Sequence, residues 1–123
     1  MRKNLTKKEI LRKKKDIRRV FSQGETRKVP GLKLKFIKNE FAFSRVLITF
    51  IRNYGNSVAR NRDKRIVKEI YRQIKKDVLP GFDLIFILLT GNISFNERLE
   101  QIFIVLGKAA LLQKDSRIPI INY

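Results

Sequence analysis

The side chains best equipped for chemistry are concentrated in one stretch, Gly55 to Arg72, which reads GNSVARNRDKRIVKEIYR. Eight basic groups fall between Arg60 and Lys76, against two acids, Asp63 and Glu69. A guanidinium presents a planar fork of donors that grips phosphate with two parallel bonds, and an ammonium adds point charge, so the chemistry on offer is anion binding. Arg60, Asn61 and Arg62 stand where a helix would begin. Cations there oppose the helix dipole, at a cost of roughly a few tenths of a kcal/mol each, and an anionic ligand would remove that cost while using the free amides of the first turn. The competing reading of such a run is a solvated helix face, and charge alone does not separate the two.

Other chemistry is largely missing. The 123 residues include no His and no Cys, which excludes imidazole catalysis, histidine-ligated zinc, thiolate metal sites and disulfides. The 11 acids are dispersed, with no Asp-x-Asp or Glu-x-x-Asp cluster suited to magnesium, which counts against a nuclease that works through its own carboxylates. The 29 Lys and Arg give a formal charge of +18, far beyond what solubility needs, and 43% hydrophobic residues with 9 Phe are enough for a core. That charge is not spread evenly. Residues 1–80 hold 25 basic groups and 7 acids, whereas residues 81–123 hold 4 of each. A general solubilising coat would not divide this way; an electrostatic footprint for phosphates would.

The elements that must position these groups follow from periodicity. Residues 1–12 read as a basic arm, 13–113 as a single domain and 114–123 as a tail in which IINY could add an edge strand. Ile17, Val20 and Phe21 at helical spacing predict a helix over 13–22, with Gly24 expected as a left-handed cap. A loop through Pro30 and Gly31 leads to GLKLKFIK, whose alternation predicts a strand with Lys33 and Lys35 on one face. RVLITFI, 45–51, is a second strand. Asn56 or Ser57 caps a long helix to about Asp77, with Ile66, Val67, Ile70, Tyr71, Ile74 and Val78 on its core arc. Pro80 and Gly81 stop it, and FDLIFILLT, 82–90, reads as a central strand covered on both faces. Ser94 and Glu97 form a capping-box pattern ahead of a last helix reaching about Leu112. The sum is an α+β sandwich, a small sheet packed by helices. No signal peptide or membrane-spanning run is evident, so the expected address is the cytoplasm.

The run Gly55, Ser57, Val58, Arg60, Asn61, Arg62, Lys64, Arg65 resembles the RNR motif of the protein subunit of bacterial ribonuclease P. The family's upstream Leu-x(5)-Phe-x-x-Val-Phe-x-x-Gly pattern is similar to Leu11, Ile17, Val20, Phe21 and Gly24, and the likeness spans roughly Ile10 to Leu112. The resemblance implies a mostly antiparallel central sheet with a left-handed βαβ crossover. It implies a chain that breaks no bond itself, one copy of which binds a catalytic RNA that uses magnesium to remove the 5′ leader of precursor tRNA. Carried over by position, Arg60, Asn61, Arg62, Lys64, Arg65, Lys68 and Arg72 would face the RNA. A leader cleft would take Ile17, Phe21, Lys33, Lys35, Thr49, Ile51 and Arg52. No catalytic residue and no protein-held metal are expected.

Departures from the family pattern fall in that cleft. Its helix-one Phe is Ile17 here, its strand aromatic is Lys35, and Ser-Lys-Lys before the motif is Ile51, Arg52 and Asn53. Leader contact would therefore lean on charge more than stacking. Phe21 could equally be a plain core residue, and Asp63, standing where the family has an aliphatic residue, projects toward the core arc. The alternative to this family is a non-catalytic RNA-binding protein of the ribosome, where small basic α+β sandwiches also occur.

Overall fold

A computed structural model describes residues 5–114, and the IINY tail, read as either an edge strand or a loose end, lies outside that range. The elements are α1 (Lys14–Gln23), β1 (Glu25–Val29), β2 (Leu32–Lys38), β3 (Arg45–Phe50), α2 (Ser57–Ile74), β4 (Phe82–Leu88) and α3 (Phe95–Lys108). They form a mixed α+β fold on one four-stranded sheet of order β1-β2-β4-β3. Pairings β1/β2 and β2/β4 are antiparallel, and β3/β4 is parallel, so α2 is the crossover between two neighbouring parallel strands.

The sheet's alternation sorts its two faces. Leu32, Leu34, Phe36, Val46, Ile48, Leu84, Phe86 and Leu88 join the inner faces of α2 and α3 in the main core. The opposite parity meets α1 in a smaller cluster built on Leu11, Val20 and Ile85, with Ile17, Ile37, Leu47 and Ile87 around it. Burial on both faces is what made β4 a continuous apolar run.

Three local expectations change. β1 is a strand where the sequence suggested a loop: ETRKV has a single core residue, Val29, because an edge strand exposed along most of its length needs no alternation. It joins β2 through the two residues Pro30 and Gly31, the latter at φ +87°, which only glycine adopts cheaply. Gly24 is not left-handed, at φ −76°. Glycine is needed there for close approach, since a Cβ would sit 2.4 Å from the Val20 carbonyl oxygen and 2.8 Å from that of Phe36. Within the segment read as a basic arm, residues 5–11 lie along the outer edge of β3. Ile10 bridges Val46, the Leu11 amide donates to the Val46 carbonyl at 2.9 Å, and Leu5 packs on the main core. The long helix ends at Ile74, and a 3-10 turn carries the chain on through Asp77.

Candidate RNA interface

Asn56 caps α2, its side chain accepting from the Ala59 amide at 2.9 Å. No acid stands in the first turn; Arg60 closes it and Arg62 follows in the second, so both cations lie near the helix start, as the sequence indicated. Asn61, Arg65, Lys68 and Arg72 recur three or four residues apart on the side away from the core, the first three of them exposed. Arg72 is held by Glu69, whose carboxyl the Arg72 guanidinium and then the Gln73 amide keep below its ordinary value. Lys64 is half-buried on one flank, and Arg62 lies on the other, its Nε 3.2 Å from Asp63. Arg60 turns inward. Its guanidinium lies over the Phe50 ring, 5.6 Å from the centroid, and its Nε is buried without a hydrogen-bond partner among the described residues. The seven carried-over residues are therefore an outer stripe with Lys64 and Arg62 beside it and one arginine tucked against β3.

The helix start is clamped from below by groups that the sequence did not connect. Asp63 is 4% exposed and accepts from the Tyr54 hydroxyl at 2.5 Å. Arg98, 2% exposed on α3, reaches the same hydroxyl at 3.3 Å, the Thr90 carbonyl at 2.8 Å and Gln101 Oε1 at 2.9 Å. Burial, reinforced by donation to the Asp63 carboxylate, pushes the Tyr54 phenol up to about 12. The expectation that Asp63 points toward the core is met, and its charge is matched there by Arg98 through the tyrosine. Tyr54 meets Asp63 and Arg98 across 9 and 44 residues, so spacing in the sequence carried no signal for the cluster.

The second candidate surface is the α1 side of the sheet. The register aligns Thr26, Lys35, Ile85 and Leu47 in one row and Lys28, Lys33, Ile87 and Thr49 in the next. α1 lies over the first row, where Ile85 is fully buried, while Lys33, Ile87 and Thr49 in the second stay partly open. Phe21 is 45% exposed, which removes the reading of it as a core residue. Lys35 Nζ sits 5.9 Å from the Phe21 ring and donates to Thr26 Oγ1 at 2.8 Å. Ile17 is half-buried in the small cluster beneath α1. Ile51 (45% exposed) and Arg52 follow the strand end, beyond Thr49. Lys28 and Ile87 join this surface without having been singled out, Lys28 because β1 was not foreseen and Ile87 because it sits inside an unbroken apolar run.

Neither surface holds a ligand set for a metal: among the described residues no three acids gather closely enough. No described helix is long and apolar enough to cross a membrane.

A family model described as Ribonuclease P matches residues 5–110. The ribonuclease P protein component of Natranaerobius thermophilus is 30% identical over 107 residues, covering 85% of this chain and 93% of its own. That of Clostridioides difficile is 36% identical over 78 residues, 63% of this chain and 68% of the relative. Among solved structures, the ribonuclease P protein of Thermotoga maritima superposes with a TM-score of 0.72 at 28% identity, over 81% of this chain and 96% of that one. The match runs from the N-terminal segment beside β3 to the end of α3, taking in both cationic surfaces, and on that extent the chain belongs to the ribonuclease P protein family.

Proposed function

We propose that this chain is the protein component of a ribonuclease P, binding the catalytic RNA along α2 and the 5′ leader of precursor tRNA on the α1 side of the sheet, one copy per RNA. The observation that carries the proposal is the pair of separate cationic surfaces on opposite faces of one sheet. A single RNA strand needs one such surface; an RNA and its substrate need two. The outer stripe of α2 offers Arg65, Lys68 and Arg72 to phosphates. The leader would lie over Lys33, Lys28 and Thr49, with a base against Phe21 and its phosphate near Lys35.

In this reading bond cleavage belongs to the RNA. Magnesium would supply the attacking water and stabilise the leaving oxygen from sites on the RNA, and the residues of this chain hold substrate and RNA in place. With no imidazole or thiol, the chain's work is positioning and charge neutralisation. The ribonucleoprotein would act in the cytoplasm, where precursor tRNA is made.

The test is leader removal from precursor tRNA by the cognate RNA, with and without the purified protein. At low salt the protein should stimulate cleavage, and the gain should grow as the leader is lengthened across the cleft. Cleavage by the protein alone, or no stimulation of the RNA, would overturn the proposal.

A further inference from the structure

A concavity at the C-terminal end of α2 adjoins the outer stripe through Arg72. Its volume is about 300 Å³, at the small end of the range for ligand pockets. The β2–β3 loop supplies Ala42 and Phe43, α2 supplies Tyr71 and Arg72, and Val78 and Pro80 close the floor. That floor is apolar and aromatic. The rim carries Lys76, which is exposed, and Lys75, which pairs with Glu9 at 3.3 Å, and Lys8 Nζ lies over the Phe43 ring, 5.0 Å from its centroid, where a stacked base would take its place and leave the ammonium to the phosphate. Phe43 is braced from behind by Phe41, stacked with centroids 5.2 Å apart, and Phe41 in turn lies under the Arg45 guanidinium at 4.7 Å. The ring is therefore packed on its far side, which lowers the ordering cost of stacking a ligand on it.

We propose that this pocket holds one unpaired nucleotide of the RNA that lies along α2, its base on Phe43 and its phosphate on Lys76 and Arg72. The inference rests on the proposed function. Charge and continuity choose this occupant. Arg72 lines both this pocket and a second hollow of about 320 Å³ formed by Leu5, Ile10, Arg65, Lys68 and Glu69, so the outer stripe of α2 leads directly to the pocket mouth. A backbone following that stripe arrives with a phosphate at Arg72 and a base over an aromatic floor, the pairing used wherever single strands are bound without sequence preference. The apolar lining leaves little to read base identity, so the site should accept any base. An acidic peptide would satisfy the rim but not the floor.

The chain has no Trp, so Phe43→Trp installs a single indole in the pocket, and Phe21→Trp installs one in the other surface as a control. Titrated with a short single-stranded oligoribonucleotide, the indole at position 43 should be quenched. An abasic strand of the same length should bind that pocket roughly tenfold more weakly. Lys76→Gln should lower the salt slope of that quench by about 0.7. Strand binding, seen by anisotropy of a labelled oligonucleotide, with no change in the indole would overturn the inference. So would equal quenching by the abasic strand, or quenching by a polyglutamate peptide and not by RNA. Stimulation of the catalytic RNA by the unsubstituted chain is measured alongside. Intact stimulation with a silent indole defeats the pocket alone, and absent stimulation defeats the proposed function itself. If Phe43→Trp does not fold, a strand carrying 4-thiouridine is crosslinked to the unsubstituted protein. Adducts on Phe43 or Tyr71 support the pocket, and adducts confined to the outer stripe of α2 or the α1 side overturn it.

Discussion

The finest scale at which this protein departs from a generic basic fold is the Asp63, Tyr54 and Arg98 cluster. A carboxylate on the core side of α2 would be costly alone, because removing a charge from water is compensated only by partners of good geometry. Here Tyr54 donates to it, Arg62 lies beside it, and Arg98 supplies the countercharge from α3. The cluster ties the start of α2 to the loop after β4, and so sets where Arg60 and Arg62 point. Tyr54→Phe should cost about 1–2 kcal/mol at neutral pH, the lower part of the range for a hydrogen bond to a charged group because Tyr54 is partly open to solvent. Since the folded state raises the Tyr54 phenol to about 12 from 10, it holds the proton more tightly than the unfolded chain does. That stability is fully present below pH 10 and is lost as pH rises toward 12. The difference between the Phe variant and the parent, followed by denaturant melts, should therefore be flat to pH 10 and shrink above it. On the other surface two residues separate charge from stacking. Lys35→Gln should reduce the salt slope of the leader's contribution by about 0.7, whereas Phe21→Ala should weaken leader binding by about 1 kcal/mol or more with that slope unchanged. A leader-length series at two salt concentrations distinguishes them, and equal slopes in both variants would show that Lys35 makes no phosphate contact.

Between elements, the decisive joint is at the end of the sheet where β2 finishes and β3 and β4 begin. Asp83, fully buried, accepts from Arg45 Nε at 2.8 Å and Nη2 at 2.6 Å and from Asn39 at 2.9 Å, while Arg45 also reaches Asp16 on α1 at 3.2 Å. Hydrogen bonding to Asp83 raises the Arg45 guanidinium further above its ordinary value against the opposing effect of burial. Asp83→Ala would leave that largely buried cation with Asp16 alone and remove the acceptor of two of its bonds, and thermal melts should show a loss of about 3 kcal/mol. The double replacement of Arg45 and Asp83 by Leu should cost less than Asp83→Ala alone. This joint was invisible in the sequence, because Asp83 sits next to the apolar run of β4 and its partners are 38 and 44 residues away. The same distinction runs through the fold. α2, α3, β2, β3 and β4 were legible because each is half or wholly buried and its hydrophobic period reports that burial directly. β1 was not, since an edge strand with one core residue writes no period. The packing of residues 5–11 was not, since three apolar residues among many lysines carry little signal. The outer stripe of α2 was readable as a motif on one element, whereas the row Lys28, Lys33, Ile87, Thr49 exists only once three strand pairings bring it together.

Across the whole molecule the formal charge of +18 is arranged around a neutral flank. The last third of the chain, with equal numbers of acids and bases, supplies β4 at the sheet's centre and α3 against one end of it. The outer side of α3 presents Glu97, Glu100, the exposed Ile104 and Lys108, a surface on which two acids outweigh one lysine. In the proposed function this division would steer RNA to α2 and to the α1 side of the sheet and leave the α3 flank to solvent. Affinity in such an arrangement comes from releasing counterions, and each neutralised phosphate on duplex RNA should contribute about 0.9 to the salt slope, or about 0.7 on a single strand. Replacing Arg65, Lys68 and Arg72 together by Gln should lower the slope for the catalytic RNA by about 2 to 3. Stability should change little, because the first two are exposed and the ion pair of the third with Glu69 lies at the surface, where such pairs contribute little. Stimulation of leader removal by this triple variant should then survive at low salt and collapse at a lower salt concentration than the parent requires. Replacing Lys108, on the neutral flank, should leave slope and stimulation as they were. A triple variant with the parent's slope would place the catalytic RNA somewhere other than α2, and a flank variant with a reduced slope would show that the charge division does not steer it.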